Sequence, residues 1–161
     1  MPQVAKTFMI YRIKTAEDVK RCMPLVEDLY AQIECPNKDL NNFKKIWFEN
    51  WSKEISSNNK LGKKMFVMEE NEEIIGFFGF TIYINELDGV LSSQEHGWYV
   101  KEGKRGAGIK LLKKCESYAK SLGCKRFVMG HHQSDYVPKN LTKIYERMGY
   151  ELQCTMYGKE L

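Results

Sequence analysis

A short glycine-containing segment with two cations, and a third just beyond it, is the part of this sequence best suited to chemistry. It runs Gly103–Gly108, between an apolar stretch that ends in Trp98-Tyr99-Val100 and an amphipathic stretch that begins at Ile109. A helix beginning here would expose backbone N–H groups at the positive end of its macrodipole, and small residues let an anion approach the main chain. The segment therefore predicts a phosphate or pyrophosphate site, although a glycine-rich turn before a helix is often only a turn. The residues expected to line it are Lys104, Arg105, Gly106, Ala107, Gly108, Ile109 and Lys110.

Two common nucleotide-binding motifs are missing from this chain. A Walker loop requires GxxxxGK[ST], and the dinucleotide fingerprint requires GxGxxG directly after a strand. Neither pattern occurs, and the segment lies late in the chain, after what reads as a strand meander. The sequence thus predicts an anion site of another kind.

Four amphipathic helices are predicted from the hydrophobic periodicity. Thr15 is expected to cap the first helix, which Pro24 kinks, and Asp39 is expected to cap the second. A third helix follows the glycine segment, and a fourth runs from Pro138 to Met148. These helices would flank whatever sheet the remaining residues form.

Strand patterns separate the helices. Gly76 and Gly79 inside one strand indicate a bulge or a close backbone approach. The three strands before the glycine segment predict an antiparallel meander, and the strand–helix–strand unit around that segment predicts a parallel pair. The fold class is therefore mixed α/β, or α+β, with a central sheet and flanking helices. The expected strands are Thr7–Lys14, Lys64–Glu69, Glu73–Ile84, Leu91–Lys101, Phe127–Gly130 and Tyr150–Tyr157.

Composition sets the broad class of the protein. The chain has 161 residues, of which 43% are hydrophobic and 29% charged, with a net charge of +4. We expect one domain over residues 1–161, since this length buries a sizeable core. No apolar run reaches the roughly 18–20 residues of a membrane helix. The start has no secretory pattern and the five cysteines form no CxxC pair, so reduced thiols and a cytoplasmic location are expected.

The glycine segment and its flanks resemble the GNAT superfamily of acyl-CoA-dependent N-acetyltransferases. The pattern of that family is a strand ending in an apolar-aromatic-Val triplet, five residues to R/Q-x-x-G-x-G/A, and a helix with a leucine pair. This chain has Val100, then Arg105-Gly106-Ala107-Gly108-Ile109-Lys110, then Leu111-Leu112. The departure from the pattern is Lys110, where the family usually has Gly or Ala.

A second block near the end of the chain also resembles this family. Residues 141–150 are similar to its A-x-x-[FL]-Y-x-x-x-G-F block, with Tyr145 at the tyrosine position and Leu141 in place of Ala. Pro138 stands where many members have Asn. The element order matches as well, over nearly the whole chain.

The resemblance implies acetyl-CoA as the co-substrate, bound where two parallel strands splay apart. Here these are the strands that end near Val100 and begin near Phe127. Trp98, Tyr99 and Val100 would contact the pantetheine arm, mainly through the backbone of the last two, and the 105–110 loop would hold the pyrophosphate. A primary amine would attack the thioester carbonyl directly, and the N–H of Val100 would stabilise the oxyanion of the tetrahedral intermediate.

Proton transfer in this reaction needs a base and an acid. Glu95 and His96 are the base candidates, with a water chain as the alternative. His96 is four residues before Val100 and so is expected on the same side of the strand, whereas Glu95 faces the other side unless a bulge reverses it. Tyr145 is expected near the cofactor as the proton donor to the leaving thiolate, although such a tyrosine could also be simple helix packing.

The acceptor is a primary amine whose identity the sequence leaves open. A small amine, an amino acid, a protein lysine or N-terminus, or an aminoacyl-tRNA all fit, and no other nucleic acid or membrane partner is expected. Tyr30, His131 and His132 are the residues predicted to bind the acceptor, and no metal site is expected from three histidines. The alternative to an enzyme is a non-catalytic CoA-binding sensor or interaction module, suggested by Lys110 and Pro138. Family members are often dimers, so a homodimer stays open.

Overall fold

The structure, a computed structural model, describes residues 8–33, 38–131, 140–159 and 161. The chain divides into two compact units, Met1–Gly130 and His131–Leu161. Thr7, His132 and Pro138, which belong to the predicted first strand, acceptor site and fourth helix, lie outside the described residues.

One mixed sheet forms the centre of the first unit, with the strands of the described residues in the order β1-β2-β3-β4-β5. Each of the first four strands pairs antiparallel with the next, and β5 is parallel to β4. The predicted mixed α/β class, meander and parallel pair are therefore confirmed. The strands are β1 (Met9–Arg12), β2 (Gly62–Glu70), β3 (Glu73–Ile84), β4 (Leu91–Val100) and β5 (Arg126–Val128).

Helices flank this sheet, and two of them begin at the predicted caps. The Thr15 hydroxyl accepts a hydrogen bond from the Asp18 N–H at 3.1 Å, and the Asp39 carboxylate accepts one from the Asn42 N–H at 3.0 Å. These bonds satisfy N–H groups that the first turn of a helix leaves unpaired. The helices of the first unit are α1 (Ala16–Arg21), α2 (Met23–Gln32), α3 (Leu40–Ile55) and α4 (Gly108–Ser121), and the second unit contains α5 (Leu141–Arg147).

Two predicted elements differ from the structure. The single helix kinked at Pro24 is two helices, α1 and α2, which meet at Cys22. Pro24 lies in the first turn of α2, where its missing N–H costs no hydrogen bond, so a new helix begins there. The predicted strand Tyr150–Tyr157 is wrong, because residues 150–159 form neither helix nor strand. Alternating polarity makes a strand only where a neighbouring strand completes its backbone hydrogen bonds.

The two faces of the sheet carry different aromatic clusters. Phe77 on β3 packs against Trp47 of α3 and Tyr99 of β4, with ring centroids 5.8 and 6.4 Å apart. Phe80, three residues along β3 and on the opposite face, packs against Tyr118 of α4 at 6.5 Å. The α3 face and the α4 face of the sheet are named after these helices below.

Gly79 on β3 lets a helix approach the α3 face closely. A Cβ at this position would lie 2.4 Å from the Trp51 ring, far inside van der Waals contact. The buried indole of Trp51 therefore rests directly on the backbone of β3. No helix among the described residues is long and apolar enough to cross a membrane.

Candidate active site

An open strand edge is produced where β4 and β5 separate. The two strands pair over three residue pairs only, Ser92 with Arg126, Ser93 with Phe127 and Gln94 with Val128. β4 then continues to Val100, whereas β5 ends at Val128. Within the described part of the chain, the β5-side edge of β4 from Glu95 onward has no strand partner. The family resemblance implies that two parallel strands splay apart at this point.

One hydrogen bond shows which backbone groups face this open edge. The N–H of Lys101 donates to the carbonyl of Ile75 at 2.8 Å, so Lys101 turns its main chain toward β3. Successive residues of a strand direct their backbone groups to opposite edges. The main-chain groups of Val100 and Trp98 therefore face the open edge. Tyr99, which the sequence groups with Val100 for this contact, turns its main chain to β3, opposite Phe77.

The N-terminus of α4 lies beside this open edge because of Gly108. A Cβ at Gly108 would lie 3.1 Å from the indole of Trp98 and 3.3 Å from Cγ2 of Val100. Only glycine allows this approach without a shift of the neighbours. A short 3₁₀ turn, Arg105–Ala107, leads into the helix, and no side chain caps the first N–H groups of α4 at Ala107. Those N–H groups remain available to an anion.

The lysines in and beside the predicted anion site have different partners. The ammonium of Lys104 lies 2.6 Å from the Glu70 carboxylate, an ion pair that spans β2 and the loop. Lys101, next to the loop, forms an ion pair with Glu73. Lys110 extends over the ring of Phe8, 6.0 Å from its centroid. Lys104 therefore serves to hold the loop against β2, and Lys110 keeps an exposed charge on the first turn of α4.

A β-bulge in β4 decides where the two base candidates point. Glu95 pairs with Phe80 and Gly97 pairs with Gly79, so His96 is an extra residue in β4. The His96 ring lies 6.5 Å from that of Trp51, on the α3 face. The expectation that His96 shares the side of Val100 is therefore wrong, because the bulge reverses the alternation. Glu95 instead shares the face of Phe80, which is the α4 face.

Glu95 is a carboxylic acid with an unusual environment. Its side chain is half-buried at the first position of β4 beyond the last pair with β5. Burial raises the pKa of Glu95 to about 7, although a backbone hydrogen bond from Gly130 acts in the opposite direction. Removal from water disfavours the charged form, which is the cause of such a shift. A carboxylate with this pKa accepts and releases protons near neutral pH.

The pKa of His96 is shifted in the opposite direction. Partial burial, together with the neighbouring cation of Lys63, lowers the pKa of His96. The imidazole is therefore neutral at pH 7. It lies in a different environment from Glu95, against α3 and β2.

The remaining predicted site residues lie in two places. Tyr30 of α2 stacks on Phe43 of α3, with ring centroids 4.4 Å apart and planes at 25°. Tyr145 belongs to the second unit, where its buried ring contacts those of His131 at 6.0 Å and Tyr150 at 5.6 Å. His131 is exposed, and its Nε2 lies 3.4 Å from the Thr142 hydroxyl.

Two features of the site were not predicted from the sequence. Trp98 rather than Tyr99 turns its main chain to the open edge, and Lys63 of β2 lies close to His96. A glycine within a strand was the only signal for the bulge, and Gly79, which lies at the register shift, confirms it. Among residues 8–33, 38–131, 140–159 and 161, no group of His, Cys, Asp and Glu side chains is arranged to hold a metal ion.

Comparison with known proteins identifies the family. The sequence model of the acetyltransferase (GNAT) family matches residues 25–150. The chain belongs to the GNAT family of acetyltransferases. The family resemblance drawn from the two sequence blocks is thereby confirmed. No curated protein sequence shows a significant match.

Solved structures of GNAT proteins share the fold. A ribosomal-protein-alanine N-acetyltransferase from Brucella melitensis biovar Abortus 2308 is similar with a TM-score of 0.73 and 15% identity, covering 96% of this chain and 99% of that chain. The aminoglycoside N-acetyltransferase AAC(6')-Iy in complex with CoA is similar with a TM-score of 0.67 and 16% identity, and the match covers 100% of both chains. Glucosamine-6-phosphate N-acetyltransferase from Arabidopsis thaliana is similar with a TM-score of 0.65 and 18% identity, and the match covers 96% of this chain and 99% of that chain. At these identities the likeness shows a common GNAT fold.

Proposed function

We propose that this GNAT protein transfers the acetyl group of acetyl-CoA to a primary amine. The observation that supports this most directly is the open edge of β4 beside the uncapped N-terminus of α4. An edge with free N–H and C=O groups suits the amide-containing pantetheine arm, and an uncapped helix start suits a pyrophosphate. The structural neighbour AAC(6')-Iy was solved with CoA, which is consistent with this ligand.

The residues of the 105–110 loop fit a pyrophosphate. No atom lies within 4 Å of the position that a Cβ would take at Gly106, so the main chain there is open to a bulky anion. The N–H of Ala107 donates to the carbonyl of Lys104 at 3.0 Å, so Gly108 and Ile109 are proposed to supply the N–H groups at the helix start, and Arg105 and Lys110 the charge. Trp98 and Val100 would bind the pantetheine through their main chains.

The chemical step is direct attack of the amine on the thioester carbonyl. The C–N bond forms, the carbonyl oxygen takes the negative charge, and the N–H of Val100 donates a hydrogen bond to that oxygen. Collapse of this intermediate then breaks the C–S bond and releases CoA thiolate. The amine must lose a proton before or during attack, and the thiolate gains one afterwards.

Glu95 is the best-supported base among the candidates. It lies where β4 leaves β5, on the same face as Val100, and its pKa of about 7 suits proton removal at neutral pH. His96 points to the other face, so a direct role for it in this step loses support. Tyr145 is proposed as the acid that protonates the thiolate, a role that rests on its position in the family block.

The proposal also covers the extent of the domain, its location and its partners. Residues 1–161 are proposed to be one acetyltransferase domain, of which the family match covers 25–150. The described cysteines are free thiols, which suits a reducing compartment, and we propose the cytoplasm. A small-molecule or protein amine is the proposed acceptor, with aminoacyl-tRNA and a homodimer left as further proposals.

The decisive experiment is an acceptor screen with acetyl-CoA, read by mass spectrometry. Small amines, amino acids, peptides and aminoacyl-tRNA are incubated with protein and acetyl-CoA, and a mass increase of one acetyl group is sought, together with release of free thiol. Activity with at least one amine is expected, and Glu95→Gln should abolish it without loss of CoA binding. If CoA binds tightly but no amine is acetylated, the chain is a CoA-binding module. If CoA does not bind, the site assignment fails.

A further inference from the structure

A cavity lies on the α3 face of the sheet, away from the face of Glu95 and Val100. It has a volume of about 280 Å³. Its apolar wall comes from α3, through Phe43, Ile46, Trp47 and Trp51. Three polar residues complete it, Asn50 of α3, Lys63 of β2 and His96 of β4. Because pockets for drug-sized ligands are about 300–1,000 Å³, this one suits a smaller molecule.

The cavity is built by two features already described. Gly79 lets Trp51 rest on the strand backbone, which places the indole at the base of the cavity. Because of the bulge, the imidazole of His96 faces this cavity, whereas in a regular strand it would face α4. The rings of Trp47 and Trp51 lie 6.0 Å apart, so the wall is aromatic over most of its length. Such a wall binds an aromatic or branched apolar group.

Lys63 carries a charge that its neighbours satisfy only weakly. Its ammonium lies 3.4 Å from the carbonyl oxygen of Asn50 and 3.8 Å from the Glu54 carboxylate, with the Trp51 ring centroid at 5.5 Å. Charge-assisted hydrogen bonds are usually about 2.7–2.9 Å long. Other ion pairs of this chain reach such lengths, at 2.6 Å for Lys104 with Glu70 and 2.7 Å for Arg126 with Asp88. Lys63 can therefore accept a better anion.

His96 offers a second polar contact. Within the described part of the chain, neither of its ring nitrogens has a hydrogen-bond partner, and the ring lies edge-on to that of Trp51. A neutral imidazole presents one donor and one acceptor. Together with Lys63, it can bind a carboxylate without adding a second full positive charge.

We propose that this cavity binds a small carboxylate that carries an aromatic or branched apolar group, as in an apolar amino acid. The apolar group packs against the wall formed by Trp47 and Trp51, and the carboxylate pairs with Lys63 and His96. The ammonium of Lys63 repels a cationic group, so the amine itself stays out of the cavity. The cavity lies on the face of the sheet opposite Glu95 and Val100, so this binding site is separate from the proposed acetyl-transfer site.

Nuclear magnetic resonance of the tryptophan side chains gives a readout independent of activity. The chain has three tryptophans, Trp47 and Trp51 in the cavity wall and Trp98 on the other face. Titration of ¹⁵N-labelled protein with L-phenylalanine should shift the indole signals of Trp47 and Trp51 and leave that of Trp98 in place. Phenethylamine, which lacks the carboxylate, should bind about tenfold more weakly, and 3-phenylpropanoate, which lacks the amine, should retain binding.

Matched variants test the two contacts. Ile46→Tyr fills the cavity from an exposed position and should abolish the indole shifts, whereas Lys45→Tyr, the neighbouring exposed residue outside the cavity, should keep them. Lys63→Gln should weaken L-phenylalanine binding about tenfold, and Lys63→Arg should restore most of it. Equal binding by the wild type and Ile46→Tyr would overturn the site.

The outcomes separate this inference from the proposed function. If L-phenylalanine binds in the cavity but no amine is acetylated, this inference stands and the acetyltransferase proposal is wrong. If amines are acetylated while neither L-phenylalanine nor 3-phenylpropanoate shifts Trp47 or Trp51, the acetyltransferase proposal stands and this inference is wrong.

Discussion

Glu95 and His96 are consecutive residues that face opposite sides of β4, and the β-bulge at His96 decides that Glu95, not His96, shares the face of Val100. Glu95 shares the α4 face with Val100, and His96 meets Trp51 on the α3 face. The two neighbouring base candidates therefore have separate surroundings, with the sides exchanged relative to the expectation from strand alternation alone. Glu95 is the group that lies at the opening between β4 and β5.

The rate of acetyl transfer should depend on the ionisation of Glu95. A base works in its deprotonated form, so kcat/KM should rise with pH through the Glu95 pKa of about 7. Glu95→Gln should lower kcat by about 10²–10⁴-fold and remove this step from the pH profile. The acceptor amine titrates identically with both proteins, so the difference between the profiles isolates Glu95. Retention of the step in Glu95→Gln, or its loss in the control His96→Gln, would contradict the assignment.

The same carboxyl should make stability depend on pH. Burial raises the pKa of Glu95 from 4.5 to about 7 in the folded protein, so between these values the folded state binds more protons than the unfolded state. The resulting contribution to the free energy of unfolding is present below the unfolded pKa and is lost as pH rises through the folded pKa. Glu95→Gln should therefore be more stable than the wild type at about pH 8, with the difference shrinking on acidification. Thermal melts should show this, and the exposed control Glu102→Gln should not.

Charge reversal in the loop should weaken CoA binding. Arg105→Glu places a negative charge next to the proposed pyrophosphate and should raise the Kd for CoA at least about tenfold. Lys120→Glu makes the same change in net charge at the other end of α4 and should leave the Kd nearly unchanged. Isothermal titration calorimetry measures both. Equal affinities for the two variants would mean that the loop does not hold the phosphates.

Removal of the Tyr145 hydroxyl should slow the chemical step. Tyr145→Phe deprives the leaving thiolate of its proposed proton donor, so kcat should fall by about 10²-fold or more while CoA binding changes little. Tyr157→Phe, an exposed position of the same unit, is the matched control. An unchanged kcat in single-turnover measurements would assign Tyr145 to packing with His131 and Tyr150 instead.

A methyl group at Gly79 should destabilise the first unit. The added Cβ would lie 2.4 Å from the buried indole of Trp51, so Gly79→Ala must displace the ring. Overpacking of this kind costs about 1–3 kcal/mol. Gly106→Ala is the control, since its Cβ would meet no atom within 4 Å. Urea denaturation should show a lower midpoint for the first variant only, and an unchanged midpoint would mean that Trp51 moves freely.

Local patterns were sufficient for much of the fold. The Thr15 and Asp39 caps, the meander before the glycine segment and the parallel pair around it depend on neighbouring residues in the chain. The prediction of a strand over Tyr150–Tyr157 was wrong, because a strand also needs a neighbouring strand, which the segment itself does not contain.

The sequence by itself determined the family and the strand-to-helix junction at which the anion site is proposed, because both are carried by contiguous residues. Only the tertiary structure decided which base candidate faces the open edge and that Lys63 meets His96. The bulge depends on how β4 registers against Gly79 and Phe80 of β3, and one extra residue in that register reverses the face of every side chain beyond it. The pKa of Glu95 likewise depends on burial, which residues far apart in the chain create together.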